Sequence, residues 1–149
     1  MKKIVLFILI VVIFLSLGVK AEERIVPIYI QNFQIDQNLN SRETLYPIYR
    51  SIDFNTPAKS SIQKLLNIKL TEKEKEVGFE TEFEKDHGVI IESVNLKKGV
   101  LSIEFKDLKH FTTGGSLRVK MLKAQIEKTL LQFSSITEVN ILPEYYFQP

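Results

Sequence analysis

Imidazole side chains are the first candidates for chemistry in this sequence, because histidine serves as a general acid or base and as a metal ligand. The 149 residues contain two, His87 and His110. Asp86 adjoins His87 and Asp107 precedes His110, so a carboxylate could contact each imidazole. Neither histidine lies in an HExxH motif or at a paired-histidine spacing typical of metal sites. We therefore interpret both as exposed loop residues without a catalytic role.

A glycine pair offers a second candidate for chemistry. Gly114 and Gly115 precede a predicted helix, whose first amides could hold an anion. The surrounding residues contain neither GxGxxG nor the Walker lysine pattern, so we expect a helix start with Ser116 as its N-cap. The sequence also lacks GxSxG. We expect that the protein is not an enzyme and that it binds no cofactor and no metal. The alternative is a small exported hydrolase or metal-dependent enzyme that acts on cell-wall material through the two histidines and nearby acids.

Aromatic side chains exceed what the predicted core needs, and tyrosine-rich patches suit protein partners or stacking on glycans. The candidate interaction surface consists of Tyr29, Tyr46, Tyr49, Tyr145, Tyr146 and Phe147. The segment from Tyr145 to Phe147 is the strongest candidate for a contact or for covering a sheet edge. The alternative is that several of these side chains close the ends of a small core.

The first 21 residues have the pattern of a secretory leader. Lys2 and Lys3 precede an apolar run from Ile4 to Leu15, and the leader ends at Ala21. The run is shorter than the ~20 residues that span a bilayer, so we favour cleavage after Ala21. The alternative is an uncleaved membrane anchor with the lysines on the cytoplasmic side. Either way, we expect residues 22–149 to form one exported, extracytoplasmic domain that meets a membrane only through residues 1–21.

Charge and cysteine content narrow the function classes. Three of the 20 basic residues and none of the 18 acidic residues lie in the leader, so the rest carries a formal charge of −1. The chain beyond the leader also has no basic cluster with interleaved aromatics, so we expect no nucleic-acid partner. With no cysteine, the chain forms no disulfide and has no thiolate nucleophile or metal ligand.

Apolar periodicity predicts the elements that would position these residues. Alternating residues predict strands at Arg24–Ile30, Thr44–Ile52, Val89–Leu96, Val100–Phe105 and Ile136–Leu142. Helical spacing predicts helices after Thr56-Pro57 and over Ser116–Phe133. Pro27 cannot donate to a ladder, so the first strand is expected near an edge or a bulge.

Local signals define the connections. Thr71 to Glu74 fits a capping box that starts a short helical turn ending at Gly78. Lys97-Lys98-Gly99 predicts a hairpin turn, and uneven alternation in the preceding strand suggests a bulge. Residues 31–42 are predicted to be a loop. The fold class is α+β, a two-layer sandwich of β-α-β-β-α-β order with two helices on one face of a small mixed sheet.

The ordered set of segments resembles a known family. These segments are Ile25-Val-Pro-Ile-Tyr29, the helix after Thr56-Pro57, Leu70 to Gly78, Val100-Leu-Ser-Ile-Glu-Phe105, Gly114-Gly-Ser116, Ala124-Gln-Ile126, Thr129-Leu130, Gln132-Phe133 and Val139. Together they resemble the GerMN domain, the sporulation and spore germination module of bacterial envelope proteins, from Arg24 to about Pro143.

The resemblance implies a noncatalytic, extracytoplasmic domain with a shape similar to the ring-building motifs of secretion and sporulation channels. It implies a part in envelope assembly during sporulation or germination. We expect an envelope protein or peptidoglycan as partner, with self-association of the chain as a further option.

Overall fold

The computed structural model describes residues 22–39 and 44–148, so the predicted leader lies outside the described residues. The described strands are β1 (Glu23–Asn32), β2 (Leu45–Asp53), β3 (Phe79–Glu80), β4 (Val89–Lys97), β5 (Val100–Asp107) and β6 (Glu138–Leu142). The described α-helices are α1 (Phe33–Leu39), α2 (Pro57–Leu66), α3 (Glu72–Glu76) and α4 (Ser116–Leu131), and Glu82–Glu84 forms a 3-10 turn. None of these helices is both long and apolar enough to cross a bilayer.

The strands form two three-stranded sheets, ordered β2-β1-β3 and β4-β5-β6. In the second sheet β4 and β5 are antiparallel, while β6 runs parallel to β5. The predicted α+β sandwich and its small mixed sheet are therefore confirmed. In the first sheet β1 pairs antiparallel with β2 over nearly its full length, and with β3 only at Gln31 and Asn32.

Helix α4 covers one edge of β1. The backbone N–H of Tyr29 donates to Thr129 Oγ1 at 3.1 Å, and Gln132 Nε2 donates to the Pro27 carbonyl at 2.9 Å. Side chains of α4 thus satisfy backbone groups that a neighbouring strand would otherwise bind, which explains why β1 does not join the second sheet. The backbone of Pro27 is turned towards α4 and away from β2, as its bond with Gln132 shows. Its missing N–H therefore disrupts no ladder, in agreement with the edge position predicted for it.

The β4–β5 hairpin is confirmed. Lys98 and Gly99 form its two-residue turn with φ values of 52° and 84°, the left-handed pair that a type I′ turn requires. The register shifts between Ile91 and Ser93, so β4 contains the predicted bulge.

Two of the three helix starts proposed from the sequence differ from the expected capping. Pro57 is the first residue of α2, as predicted, but the Thr56 side chain makes no capping bond and contacts Ser60 Oγ instead. The N-cap of α4 is Gly115, which makes Ser116 the first helical residue rather than the cap. The capping box of α3 is confirmed: Thr71 Oγ1 accepts from the Glu74 N–H at 3.2 Å, and Glu74 Oε2 accepts from the Thr71 N–H at 2.8 Å.

The end of β1 and helix α1 occupy residues 31–39, which corrects the loop predicted over residues 31–42; residues 40–42 lie outside the described residues. Asn32 Oδ1 accepts from the Ile35 N–H at 3.1 Å, while Asn32 Nδ2 donates to the Val77 carbonyl at 3.0 Å. The helix therefore depends on a cap that is fixed by the distant end of α3. Phe33 and Ile35 are exposed, so α1 has little of the buried apolar stripe that reveals a helix in a sequence.

The core lies between the helices and the inner faces of both sheets. Its largest fully buried side chains include Ile28 and Ile30 of β1, Ile62 and Leu65 of α2, Leu101 and Ile103 of β5, and Leu122 and Ile126 of α4. Every strand and helix that supplies these residues therefore depends on the others for burial.

Candidate binding surfaces

His87 is a structural residue. It is buried, which corrects the prediction of an exposed loop residue. Its Nδ1 accepts from the Val89 N–H at 2.9 Å, and Nε2 lies 2.7 Å from the Leu66 carbonyl. Because Nδ1 accepts, the proton sits on Nε2, which donates to Leu66. Both ring nitrogens are thereby used to join the ends of α2 and β4.

The acids beside the histidines also have other partners. Asp86 pairs with Lys109, and that contact holds the pKa of its carboxyl below the ordinary value. Asp107 accepts three backbone N–H groups, from Lys109 (3.1 Å), Phe111 (3.0 Å) and Thr112 (2.7 Å). Burial opposes ionisation of Asp107, but these amides, Thr112 foremost, keep its pKa low.

The second histidine, His110, lies in a different environment from His87. His110 is exposed, as predicted, in the loop that Asp107 organises, with a backbone φ of 57°. Among the described residues, no group of His, Asp and Glu side chains is placed to hold a metal ion. The carboxylate–imidazole contacts that the spacing allowed are not formed at Asp86 or Asp107, whose oxygens bind a lysine and backbone amides.

The six aromatic candidates do not form one patch. Tyr29 and Tyr49 lie on the outer face of the first sheet, where the register makes them diagonal neighbours; Tyr29 is half-buried and Tyr49 is 63% exposed. Lys128 Nζ lies 4.9 Å from the Tyr29 ring centroid, a cation–π contact. The half-buried Tyr46 lies across from the core residue Ile30 on the other face.

Tyr46 is tied to the framework through a buried carboxylate. Its hydroxyl donates to Asp36 Oδ1 at 3.3 Å. Burial and the negative charge of Asp36 raise the pKa of the phenol. Tyr46 is therefore held in place by α1 and offers little free surface.

The C-terminal aromatics correct the prediction in part. Phe147 is fully buried, with its ring centroid 6.0 Å from that of Phe105, and cannot belong to an exposed surface. Tyr146 is half-buried, and its hydroxyl accepts from the Asp107 N–H at 3.3 Å. Tyr145 is 69% exposed and is the one member of this segment open to a partner. The tail after β6 thus completes the core, because Phe147 packs its ring edge-to-face with the buried Phe105.

The outer edge of β4 is a surface that the sequence reasoning did not single out. In the described chain β4 pairs only with β5. Lys97 and Val100 flank the two-residue turn as a hydrogen-bonded pair, so the backbone N–H and C=O groups of Leu96 and Val94 point away from β5. The signal was present as the alternation of Val94 and Leu96, but the sequence does not show which strand ends the sheet.

An apolar groove of about 260 Å³ adjoins this edge. Its walls are Val94 and Leu96 of β4, the first turn of α2 from Pro57 to Lys59, and Phe133 with Ile136 after α4. Leu96 is 45% exposed, so apolar area and unpaired backbone groups lie side by side. This combination is what strand addition uses: backbone bonds hold the incoming strand and a side-chain pocket selects it.

Comparison with known proteins gives one match. A family model named Germane, described as sporulation and spore germination, matches residues 28–144. The matched range starts within β1 and ends just beyond β6, so it contains all four helices of the described chain and both sheets except the first five residues of β1. Comparisons with curated proteins and with solved structures gave no match.

Proposed function

The chain belongs to the Germane family of sporulation and spore germination, and from this membership we propose that it is a noncatalytic, extracytoplasmic binding module of the cell envelope. A role related to sporulation or germination follows from the family itself. In the proposed mechanism the protein holds an extended segment of an envelope protein against β4, and no covalent bond is made or broken.

The open edge of β4 carries this proposal. Leu96 and Val94 present unpaired backbone groups beside an apolar groove, and an incoming strand would satisfy the first and cover the second. The proposal that the protein is noncatalytic is supported by His87, because both of its ring nitrogens are hydrogen-bonded to backbone groups. The leader pattern of residues 1–21 supports export.

Site-specific photocrosslinking in sporulating cells tests the binding surface with the full chain. A benzophenone amino acid at Leu96 is expected to trap a protein partner, because this side chain borders the groove. The same probe at Asn95 is the matched control, since the adjacent side chain points to the other face of the strand. Equal crosslinking at both positions, or none at Leu96, contradicts strand addition. A Leu96 adduct that a muramidase removes and a protease does not would identify peptidoglycan and overturn the protein partner.

Genetic complementation tests whether the same edge matters for the process. The paired change Val94→Lys and Leu96→Lys places charge in the groove and is expected to leave the sporulation or germination defect of a deletion strain uncorrected. The pair Ser93→Lys and Asn95→Lys adds the same charge on the opposite face and is expected to restore it. Thermal unfolding of both purified variants separates loss of binding from loss of fold. If both pairs complement equally, the β4 edge is not the functional surface.

The proposed location has an independent test, because the natural chain contains no cysteine. Tyr145→Cys introduces a thiol at a site that is 69% exposed in the natural chain. A membrane-impermeant maleimide is expected to label this thiol in intact cells, whereas Phe147→Cys, at a fully buried position, is expected to react only after denaturation. Labelling of Tyr145→Cys only after lysis contradicts an extracytoplasmic location.

A further inference from the structure

A second cleft lies on the opposite end of α4 from the β4 groove and has a different chemical character. It encloses about 550 Å³ between α1, β3 and the first half of α4. This volume falls within the range of ~300–1,000 Å³ typical of ligand sites. Its apolar wall includes Phe33, 51% exposed, and Leu117, 46% exposed, with the buried Met121 beside them.

The charged lining of this cleft is mainly acidic. Asp36, Glu80 and Glu82 face one guanidinium, that of Arg118. Arg118 already has hydrogen-bond partners within the chain. Its Nε donates to Glu82 Oε2 at 2.7 Å, and its Nη1 donates to the Phe111 and Thr113 carbonyls at 2.8 Å each. Asp36 and Glu80 form no ion pair with any described residue. Among the described residues, the lining of the cleft therefore carries an excess of negative charge that favours a cation.

A buried amide donor points to a second feature of the ligand. Gln125 lines the cleft although it is only 1% exposed. Thr81 Oγ1 accepts from the Phe83 N–H at 3.2 Å and donates its own proton to Gln125 Oε1 at 2.8 Å. The carboxamide oxygen is thereby identified, and no hydrogen bond within the described chain engages Gln125 Nε2. Nε2 is not one of the fully enclosed polar atoms that lack a partner, so it reaches the cleft that Gln125 lines and can donate to an acceptor on a ligand.

We propose that this cleft binds a peptide segment in which a lysine or arginine side chain is flanked by apolar residues. The basic side chain would pair with the exposed Glu80, next to the negative charge of the buried Asp36. A peptide carbonyl would accept from Gln125 Nε2, and the apolar neighbours would cover Phe33 and Leu117. A polyamine has the charge but no carbonyl, and a neutral glycan has acceptors but no charge. The peptide is the ligand class that satisfies all three features.

Titration of the full chain, ¹⁵N-labelled and in detergent, tests the proposal by NMR. The probe is an acetylated, amidated tripeptide with lysine between two leucines; the comparison ligands are the same tripeptide with glutamate at the centre, and spermidine. The lysine tripeptide is expected to shift the side-chain amide signals of Gln125 with a dissociation constant of about 1 mM or lower. The glutamate tripeptide and spermidine are expected to bind at least about tenfold more weakly.

Two variants assign the effect to the cleft. Glu80→Lys is expected to weaken binding of the lysine tripeptide by about tenfold or more, because it reverses a charge in the lining. Glu138→Lys makes the same change at an exposed site on β6 outside the cleft and should leave affinity unchanged. No Gln125 shift up to about 10 mM peptide, equal binding of the two tripeptides, or equal effects of the two variants overturns the proposal. Equal affinity for spermidine would reassign the cleft to simple cations.

Because the cleft and the β4 edge share no lining residue, either proposal can fail without the other.

Discussion

Arg50 and Glu74 join β2 to α3 through the best-formed ion pair of the described chain. Arg50 Nη1 and Nη2 lie 2.7 and 2.8 Å from the two oxygens of Glu74. The side chains are 22% and 19% exposed, so water screens the pair only in part. The Arg50 hydrogen bonds outweigh the cost of burial and, with those from Thr71, lower the pKa of Glu74 from 4.5 to about 2.

This shift predicts acid sensitivity at a single residue. Because the pKa is lower in the folded chain, Glu74 stabilises the fold above its ordinary pKa of 4.5, and this contribution is lost as the pH falls towards 2. Glu74→Gln keeps the capping-box hydrogen bonds but removes the charge, and is expected to cost about 1–3 kcal/mol of unfolding free energy at pH 7. Urea unfolding at pH 7 and pH 3 should show the difference from the natural chain shrinking at the lower pH.

The neighbouring residue Glu76 provides the control for this measurement. It lies on the same helix, is exposed and forms no ion pair with a described residue. Glu76→Gln is expected to change the unfolding free energy by less than about 0.5 kcal/mol. A pH-independent cost of Glu74→Gln would show that the carboxamide disturbs packing rather than removing a charge interaction.

At the scale of elements, the turn between β4 and β5 also starts β6. The Gly99 carbonyl accepts from the backbone N–H groups of Thr137 (2.8 Å) and Glu138 (3.3 Å), as well as from Thr137 Oγ1 (3.2 Å). Gly99 has a φ of +84°, and a Cβ at this position would lie 2.7 Å from Thr137 Oγ1. One glycine therefore fixes both the hairpin and the parallel strand that follows α4.

The same substitution at two glycines should have different effects on the unfolding free energy. Gly99→Ser is expected to lower the unfolding free energy by about 1–3 kcal/mol, because it combines an unfavourable φ with a close contact. Gly115→Ser places an N-cap side chain at the start of α4, where φ is −61° and an added Cβ would meet no atom within 4 Å. It is expected to be neutral or stabilising by a few tenths of a kcal/mol. Denaturant unfolding of both variants measures the contrast, and equal destabilisation would contradict it.

The elements that could be predicted are those whose signal is local. The hairpin, its bulge and the α3 capping box depend on residues a few positions apart, and the structure confirms them. Helix α1 could not be predicted because Asn32 is fixed by Val77, a partner distant in sequence. The separation of β1 from the second sheet depends on Thr129 and Gln132, which look like ordinary polar positions of a helix.

The candidate surfaces were harder to predict than the fold for the same reason. Composition identified an excess of aromatics, but it could not separate Tyr145, which is exposed, from Phe147, which is buried. The acidic cleft brings Asp36, Glu80 and Gln125 together from three distant parts of the chain. No periodicity in a single sequence encodes that arrangement.

For the whole molecule, the folding unit extends beyond the range that the family model matches. The match ends at residue 144, yet Phe147 is fully buried and belongs to the core. Tyr146 adds a hydrogen bond to the backbone of Asp107 at the end of β5. The last residues thus cover the end of β5 in the second sheet, as α4 covers the edge of β1 in the first.

Phe147→Ala should therefore cost about 3–5 kcal/mol of unfolding free energy, the usual effect of truncating a buried phenylalanine. Tyr145→Ala, two residues away at an exposed site, should cost less than about 0.5 kcal/mol. A chain shortened to residue 144 is expected to lose at least as much stability as Phe147→Ala, because it also removes the Tyr146 hydroxyl from Asp107. Urea unfolding of the three variants measures this order. If the shortened chain were as stable as the natural one, the tail would be an appendage, and Tyr145 to Phe147 would again be available as a surface for a partner.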